Sequence, residues 1–168
     1  AFHAEHAALC LEHGKAVLCE KAFTINAAEA RRLVDTARSR KRFLMEALYT
    51  RHLPLVKEVK RRVDAGQIGE VRMVTANRCS RGGPFPPGGR HMTLALGGGS
   101  LLDVGIYVLS FAALFLGARP RHVHGVGHLG ETGADEHGAL ALSYDNGAVA
   151  SLTFGLRTQN IDDARILG

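Results

Sequence analysis

The sequence predicts an α/β segment of the doubly wound kind as far as Gly69, followed by an α+β segment in which a mainly antiparallel sheet carries one buried helix. Three observations predict it. Before Gly69, short apolar runs alternate with amphipathic helical ones. After Gly69, strand-like runs follow one another with hairpin chemistry between them. Between the two patterns lies a long apolar segment, Gly97 to Gly117, opened by three glycines and a serine.

In order, Ala4 to His13 reads as a short helix ended by Gly14, and Lys15 to Cys19 as a compact strand. The charged pair Glu20 and Lys21 follows that strand, and the C-terminal edge of an open α/β sheet is where ligand contacts collect. Asn26 with Glu29 three residues on forms a capping box for a helix over Ala27 to Ser39, whose apolar face is Ala30, Leu33, Val34 and Ala37. Arg42 to Ala47 is a second short strand. Leu53 to Ala65 is a third helix, with Pro54 in its first turn and Gly66 stopping it. Glu70 to Arg78 is a longer strand, and the Gly/Pro-rich run Arg81 to Gly89 a mobile surface loop. Strands are expected at Arg121 to Leu129, His137 to Tyr144, Ala148 to Phe154 and near Ala164, with Asp145-Asn146-Gly147 as a hairpin turn.

From Met92 to Ala118 the only ionisable side chains are Asp103 and Tyr107, one helical turn apart on one face. Apolar residues from Leu101 to Leu116 cover nearly every direction around them, which predicts a buried helix. A carboxylate and a phenol there are costly unless paired or used. Two readings fit: Asp103 satisfying backbone amides and Tyr107 tied to a carbonyl, or a functional site. The glycines at 97, 98 and 99 either admit a close backbone approach or start the helix sharply.

Composition narrows the function. With 168 residues, 46% hydrophobic and 22% charged, the chain is an ordinary globular one, and its apolar stretch is too short and too interrupted by Asp103 and Gly105 to span a bilayer. The net charge of +5 invites nucleic-acid binding. The basic runs, Arg38, Arg40, Lys41, Arg42 and Lys57, Lys60, Arg61, Arg62, instead fall at helix ends without interleaved aromatics, so neither nucleic acid nor membrane is expected as a partner. Cys10, Cys19 and Cys79 form no CxxC pair, which predicts reduced thiols and a cytoplasmic setting. His122 with His124, and His3 with His6, share faces but supply two ligands each, so no metal is expected. No GxGxxG, GxSxG or P-loop occurs.

Lys21, Asp103 and Tyr107 remain. A lysine near a tyrosine would favour the phenolate and lower the phenol's pKa from about 10, and such a tyrosine can take the proton of an alcohol as hydride leaves its carbon. Residue spacing alone does not place Lys21 beside Tyr107.

Several motifs in matching order resemble the glucose–fructose oxidoreductase / inositol dehydrogenase (Gfo/Idh/MocA) family. The run HAEHAALCLEHGKAVLCEKAFTINAAEARRLVDTA is similar to the second half of that family's Rossmann domain, with Glu20-Lys21 at its Glu-Lys-Pro. FLMEALYTRHLP resembles the segment before the crossover, where an aromatic at the position of Tyr49 lines the pocket in the dihydrodiol dehydrogenase branch. DAGQIGEV looks like the entry into the C-terminal domain, and GGGSLLDVGIY like the Gly-Gly-x-Leu-x-Asp-x-Gly-x-His/Tyr signature. One departure is Ala22, where the family has Pro; a cis bond before Ala is costly.

The resemblance implies that residues 1–69 are the second half of a Rossmann-like dinucleotide-binding domain and residues 70–168 a C-terminal substrate-binding and dimerisation domain. Both ends look cut, so a fragment lacking the first Rossmann half, and by itself weak in dinucleotide binding, is expected. The resemblance further implies an NAD(P)-dependent oxidoreductase, with NADP or NAD as cofactor, acting on a secondary alcohol of a sugar or trans-dihydrodiol. Catalysis would fall to Lys21, Asp103 and Tyr107, cofactor binding to Glu20 and Lys21, and substrate binding to Tyr49 and Asp103, in a homodimer formed through the C-terminal sheet. The rival expectation is a non-catalytic relative that binds cofactor or ligand as a sensor or partner subunit.

Overall fold

The computed structural model describes residues 2–83, 85–86, 88–159 and 161–168. Its elements are α1 (His3–Glu12), β1 (Val17–Cys19), α2 (Ala27–Ser39), β2 (Leu44–Glu46), a 3₁₀ turn (Tyr49–His52), α3 (Pro54–Asp64), β3 (Met73–Cys79), a π-helical turn (Leu101–Gly105) running into α4 (Ile106–Leu116), β4 (His122–Leu129), β5 (Asp135–Ser143), β6 (Val149–Gly155) and β7 (Asp163–Leu167). β1 and β2 pair in parallel, Cys19 opposite Glu46, as a two-stranded sheet. The other strands form one sheet in the order β4-β5-β6-β3-β7, antiparallel except for the parallel β3–β6 pair. This is the expected parallel α/β piece followed by a mainly antiparallel sheet with a helix.

Local chemistry accounts for the elements. Asn26 Oδ1 accepts from Glu29 N at 2.9 Å, and a Glu29 carboxylate oxygen accepts from Ile25 N at 3.3 Å, closing the capping box of α2. On α3 the late cations are held by acids: Lys60 by Asp64, and Arg61 and Arg62 both by Glu58. Tyr144 N donates to Ala148 O at 3.0 Å across the Asp145-Asn146-Gly147 turn, where Gly147 takes φ +82°.

Two cores result. Ala7, Leu11, Cys19, Leu33 and Ala37 join α1, β1 and α2. A larger one packs Val104, Val108 and Ala112 against Val74, Ala76, Leu142, Ala150, Leu152 and Phe154 of the sheet. The helix differs from the expected all-round burial. Val108, Ser110 and Ala112 are buried, but Leu109, Phe111, Leu114, Phe115 and Leu116 are half-buried, because the sheet covers one side only. The segment Leu94–Leu116, 23 residues with mean hydropathy 1.9, is long and apolar enough to cross a membrane, contrary to the estimate from its length. It is nevertheless interrupted at residues 97–99 and lies on the sheet as a core element. Within the Gly/Pro-rich run, Pro84 and Pro87 lie outside the described residues; Phe85 packs against the core rather than standing free.

Candidate active site

Lys21 follows the end of β1, and its neighbours fix where it goes. The Lys21–Ala22 peptide is cis despite the alanine. Phe23 N donates to Glu46 Oε1 at 2.8 Å from the end of β2, and His3 Nδ1 donates to Ala22 O at 2.7 Å from α1. So held, Lys21 reaches across to the π turn and donates from Nζ to Asp103 O at 2.7 Å and to Asp103 Oδ1 at 3.1 Å. Both side chains are 19% exposed, a half-desolvated pair in which each charge has its partner. Arg90 approaches the same carboxylate oxygen at 3.7 Å.

Asp103 therefore does not cap its own helix. Asp135, from β5, does that: its Oδ2 accepts from Ser100 Oγ at 2.6 Å and from Leu101 N at 2.7 Å. Gly99 serves this contact, and Gly98 a close approach to the preceding loop. A Cβ on Gly99, whose φ is +119°, would stand 2.0 Å from Asp135 Oδ1, and one on Gly98 would stand 2.6 Å from Thr93 N. Close approach is one of the two uses read from the sequence, and it also lets the helix begin abruptly.

Tyr107 lies in the first turn of α4, four residues beyond Asp103. Its ring meets that of Tyr49 edge-on at 6.1 Å. Lys21 Nζ lies 5.3 Å and the Arg78 guanidinium 5.4 Å from its centroid. Among the described residues no carbonyl accepts from its hydroxyl, so the phenol is not tied up structurally. Its pKa moves opposite to expectation. Burial pushes the phenol up, Tyr49, Glu20 and Asp103 push the same way, and Arg78 opposes them.

Two cavities flank this group. One of about 350 Å³ is lined by Glu20, Lys21, Arg90, Gly97 and Asp103, among others, and lies beyond the C-terminal end of β1, the place where a parallel sheet receives a dinucleotide. The other, of about 220 Å³, is lined by Tyr49, Arg51, Arg78, Tyr107, Ser110 and Phe111, among others. The structure thus brings Lys21, Asp103, Tyr107 and Tyr49 together from sequence positions far apart. Glu20 stays exposed on the first cavity's rim, its carboxylate accepting from Lys21 N at 2.7 Å.

Sequence reasoning missed Arg78, Arg90, Arg51 and Asp135. Arg78 had a signal: it stands one residue before the end of a strand, as Lys21 stands just after one. Arg51, which donates from Nε to Ser110 Oγ at 2.7 Å, had none. The paired histidines lie apart from the site or serve the backbone. His122 and His124 sit 6.5 Å apart on exposed β4, and His3 supports Ala22.

Comparison with known proteins places this geometry. Residues 1–48 match the profile described as "Oxidoreductase family, NAD-binding Rossmann fold", and residues 56–168 that of the GFO/IDH/MocA C-terminal domain. Over 170 aligned residues the chain is 39% identical to trans-1,2-dihydrobenzene-1,2-diol dehydrogenase of Sus scrofa and 38% identical to that of Homo sapiens, with 99% of this chain and 50% of each relative covered. The chain spans about half the length of these relatives. Among solved structures, KijD10, a 3-ketoreductase from Actinomadura kijaniata in complex with NADP and TDP-benzene, superposes with a TM-score of 0.85 at 34% identity, over 99% of this chain and 51% of that one. The aldose-aldose oxidoreductase from Caulobacter crescentus, complexed with glycerol, gives 0.89 at 26% identity over the same shares.

Proposed function

This chain belongs to the GFO/IDH/MocA oxidoreductase family, and on that premise we propose that the protein is an NAD(P)-dependent oxidoreductase moving hydride between its cofactor and a secondary alcohol of a sugar or trans-dihydrodiol. The observation that carries the reading is the convergence of Lys21, Asp103 and Tyr107 between two cavities, with no hydrogen bond to the Tyr107 hydroxyl among the described residues. The names of the relatives support the substrate class: a dihydrodiol dehydrogenase, a ketoreductase and an aldose oxidoreductase.

The residues present suit the nicotinamide end of the cofactor. Lys21 and Glu20 line the larger cavity beyond the parallel strands, where they would hold the ribose hydroxyls. When bound, the nicotinamide supplies a two-electron hydride acceptor or donor. The protein's part is the proton. In oxidation the substrate O–H proton would pass to Tyr107 Oη in its phenolate form, while the carbinol hydrogen would leave with its electron pair for the nicotinamide and the carbonyl would form. In reduction Tyr107 returns the proton to the carbonyl oxygen. Lys21, hydrogen-bonded to Asp103, donates to the reacting oxygen, and Asp103 keeps its side chain aimed. Because burial favours the neutral phenol, the site holds its proton at neutral pH, which suits reduction.

Tyr49 forms the edge of the smaller cavity and orients the substrate ring against Tyr107. The homodimer surface in this reading is the sheet face opposite α4, with Val126, Ala139, Ser151 and Thr153; Val126 is 76% exposed.

The test follows reduced-nicotinamide absorbance in the intact protein with NADP or NAD against sugars, dihydrodiols and their carbonyl products. Tyr107→Phe is expected to lower kcat by about 10²–10⁴ with the fold retained. Full activity in that variant would overturn the mechanism, and cofactor binding without turnover on any of these substrates would favour a sensor or partner subunit.

A further inference from the structure

Arg78 is a cation at the reacting phenol that the preceding mechanism does not use. It stands near the C-terminal end of β3, the strand between β6 and β7, opposite Phe154 in the parallel register with β6. Its Nη1 donates to Asp162 Oδ2, and Asp162 Oδ1 accepts from Cys79 N at 3.2 Å, so the guanidinium is anchored from the segment preceding β7. Its Nε is buried and, among the described residues, has no hydrogen-bond acceptor. The planar group lies 5.4 Å from the Tyr107 centroid, within cation–π reach, and lines the same cavity.

Lys21 lies equally near the ring, at 5.3 Å, but donates to both the carbonyl and the carboxylate of Asp103. The groups bearing on Tyr107 come from several elements. Glu20 and Lys21 follow β1, Tyr49 stands on the 3₁₀ turn, Asp103 on the π turn and Arg78 on β3, with Asp162 on the latter's guanidinium. Tyr49, Glu20 and Asp103 disfavour the phenolate; Arg78 favours it.

We propose that Arg78 is a positioning residue for proton transfer, its guanidinium holding the Tyr107 ring and stabilising the phenolate that accepts the substrate proton. This rests on the function proposed above. It assigns the electrostatic support of Tyr107 to Arg78, whereas Lys21 serves Asp103 and the reacting oxygen.

The experiment compares Arg78→Gln, Arg78→Lys and Asp162→Asn in the intact protein by two readouts. One is the pH profile of alcohol oxidation. The other is the ultraviolet titration of tyrosinate, with Tyr107→Phe as the reference that isolates the Tyr107 signal. Arg78→Gln is expected to move both midpoints up by about 0.5–1 pH unit, a modest effect because Arg78 is partly solvated. Arg78→Lys keeps a cation and should restore most of the difference. Asp162→Asn removes the anion matched to the guanidinium and should move both midpoints down. Unchanged midpoints in Arg78→Gln, or an upward move in Asp162→Asn, would overturn the proposal. If Arg78→Gln fails to fold, the direction of the Asp162→Asn effect decides. The tyrosinate readout needs no turnover, so it judges the Arg78–Tyr107 coupling even if the proposed reaction is wrong, while the activity of Tyr107→Phe judges the reaction alone.

Discussion

The five-stranded sheet with α4 and the two-stranded sheet with α1 and α2 contribute unequally to one site. Asp103, Tyr107 and Arg78 project from elements packed on the larger core, which runs from Val74 and Ala76 to Leu152 and Phe154. Lys21 arrives from strands of three residues each, where Leu18 of β1 is 62% exposed. Lys21–Asp103 ties the two parts, and Arg51–Ser110 ties the 3₁₀ turn between them to α4. The difference teaches that the side of the site carrying Tyr107 is fixed by packing, and the side carrying Lys21 by a few polar contacts. Loss of order should therefore begin at Lys21.

That contrast can be broken by core truncation. Leu152 and Leu11 are both fully buried, one in each core. Leu152→Ala is expected to cost about 4–5 kcal/mol in denaturant unfolding, the upper part of the range for buried leucines, because the sheet and α4 cannot close over the gap. Leu11→Ala should cost about 2–3 kcal/mol, since the smaller, more exposed core can relax. Amide exchange sharpens the comparison: Leu11→Ala should speed exchange in β1 and β2 and leave β6 protected. Equal acceleration in both sheets would mean that they unfold as one.

Gly99→Ala tests the joint between π turn and sheet. Its Cβ would displace the Asp135 carboxylate from Ser100 and Leu101 N, at an expected cost of about 2 kcal/mol in denaturant unfolding, with the Lys21–Asp103 pair weakened. A neutral outcome would show that the cap is dispensable.

The smallest effect is alkaline. Burial raises the phenols of Tyr107 and Tyr144, both in the larger layer, so the folded state holds their protons more tightly than the unfolded chain. The stability they contribute is complete below the ordinary tyrosine range near pH 10 and is lost as pH rises through the folded values. Denaturant midpoints in Tyr144→Phe should fall less steeply above about pH 10 than in the wild type. Parallel curves would remove burial of that phenol as a source of alkaline sensitivity.

Much of this was legible in the residues because the deciding interactions are local. Asn26 with Glu29, Pro54, Asp145-Asn146-Gly147 and the alternating strands each state their structure within a few positions. Lys21, Asp103 and Tyr107 could be named but not assembled, since the contact of Lys21 with Asp103 spans 82 positions and depends on Glu46 and His3 shaping the intervening turn. The Tyr107 phenol moves up rather than down for a related reason: burial of the ring is the largest influence on it, and how far the ring is buried depends on elements distant in the sequence. Asp135 was invisible because its partner, the start of the π turn, belongs to another element, and Arg78 stood out only as a cation near a strand end, its neighbour Tyr107 lying on another element.

The central claim is that Lys21 and Tyr107 act together on one substrate oxygen, and the kcat of Tyr107→Phe, Lys21→Met and the double variant tests it most directly. Groups that act as a unit lose their effect together, so the double variant is expected to be no slower than the worse single variant by more than about threefold, each single loss being about 10²-fold or more. Losses that multiply in the double variant, or a Lys21→Met enzyme with unchanged kcat, would contradict it.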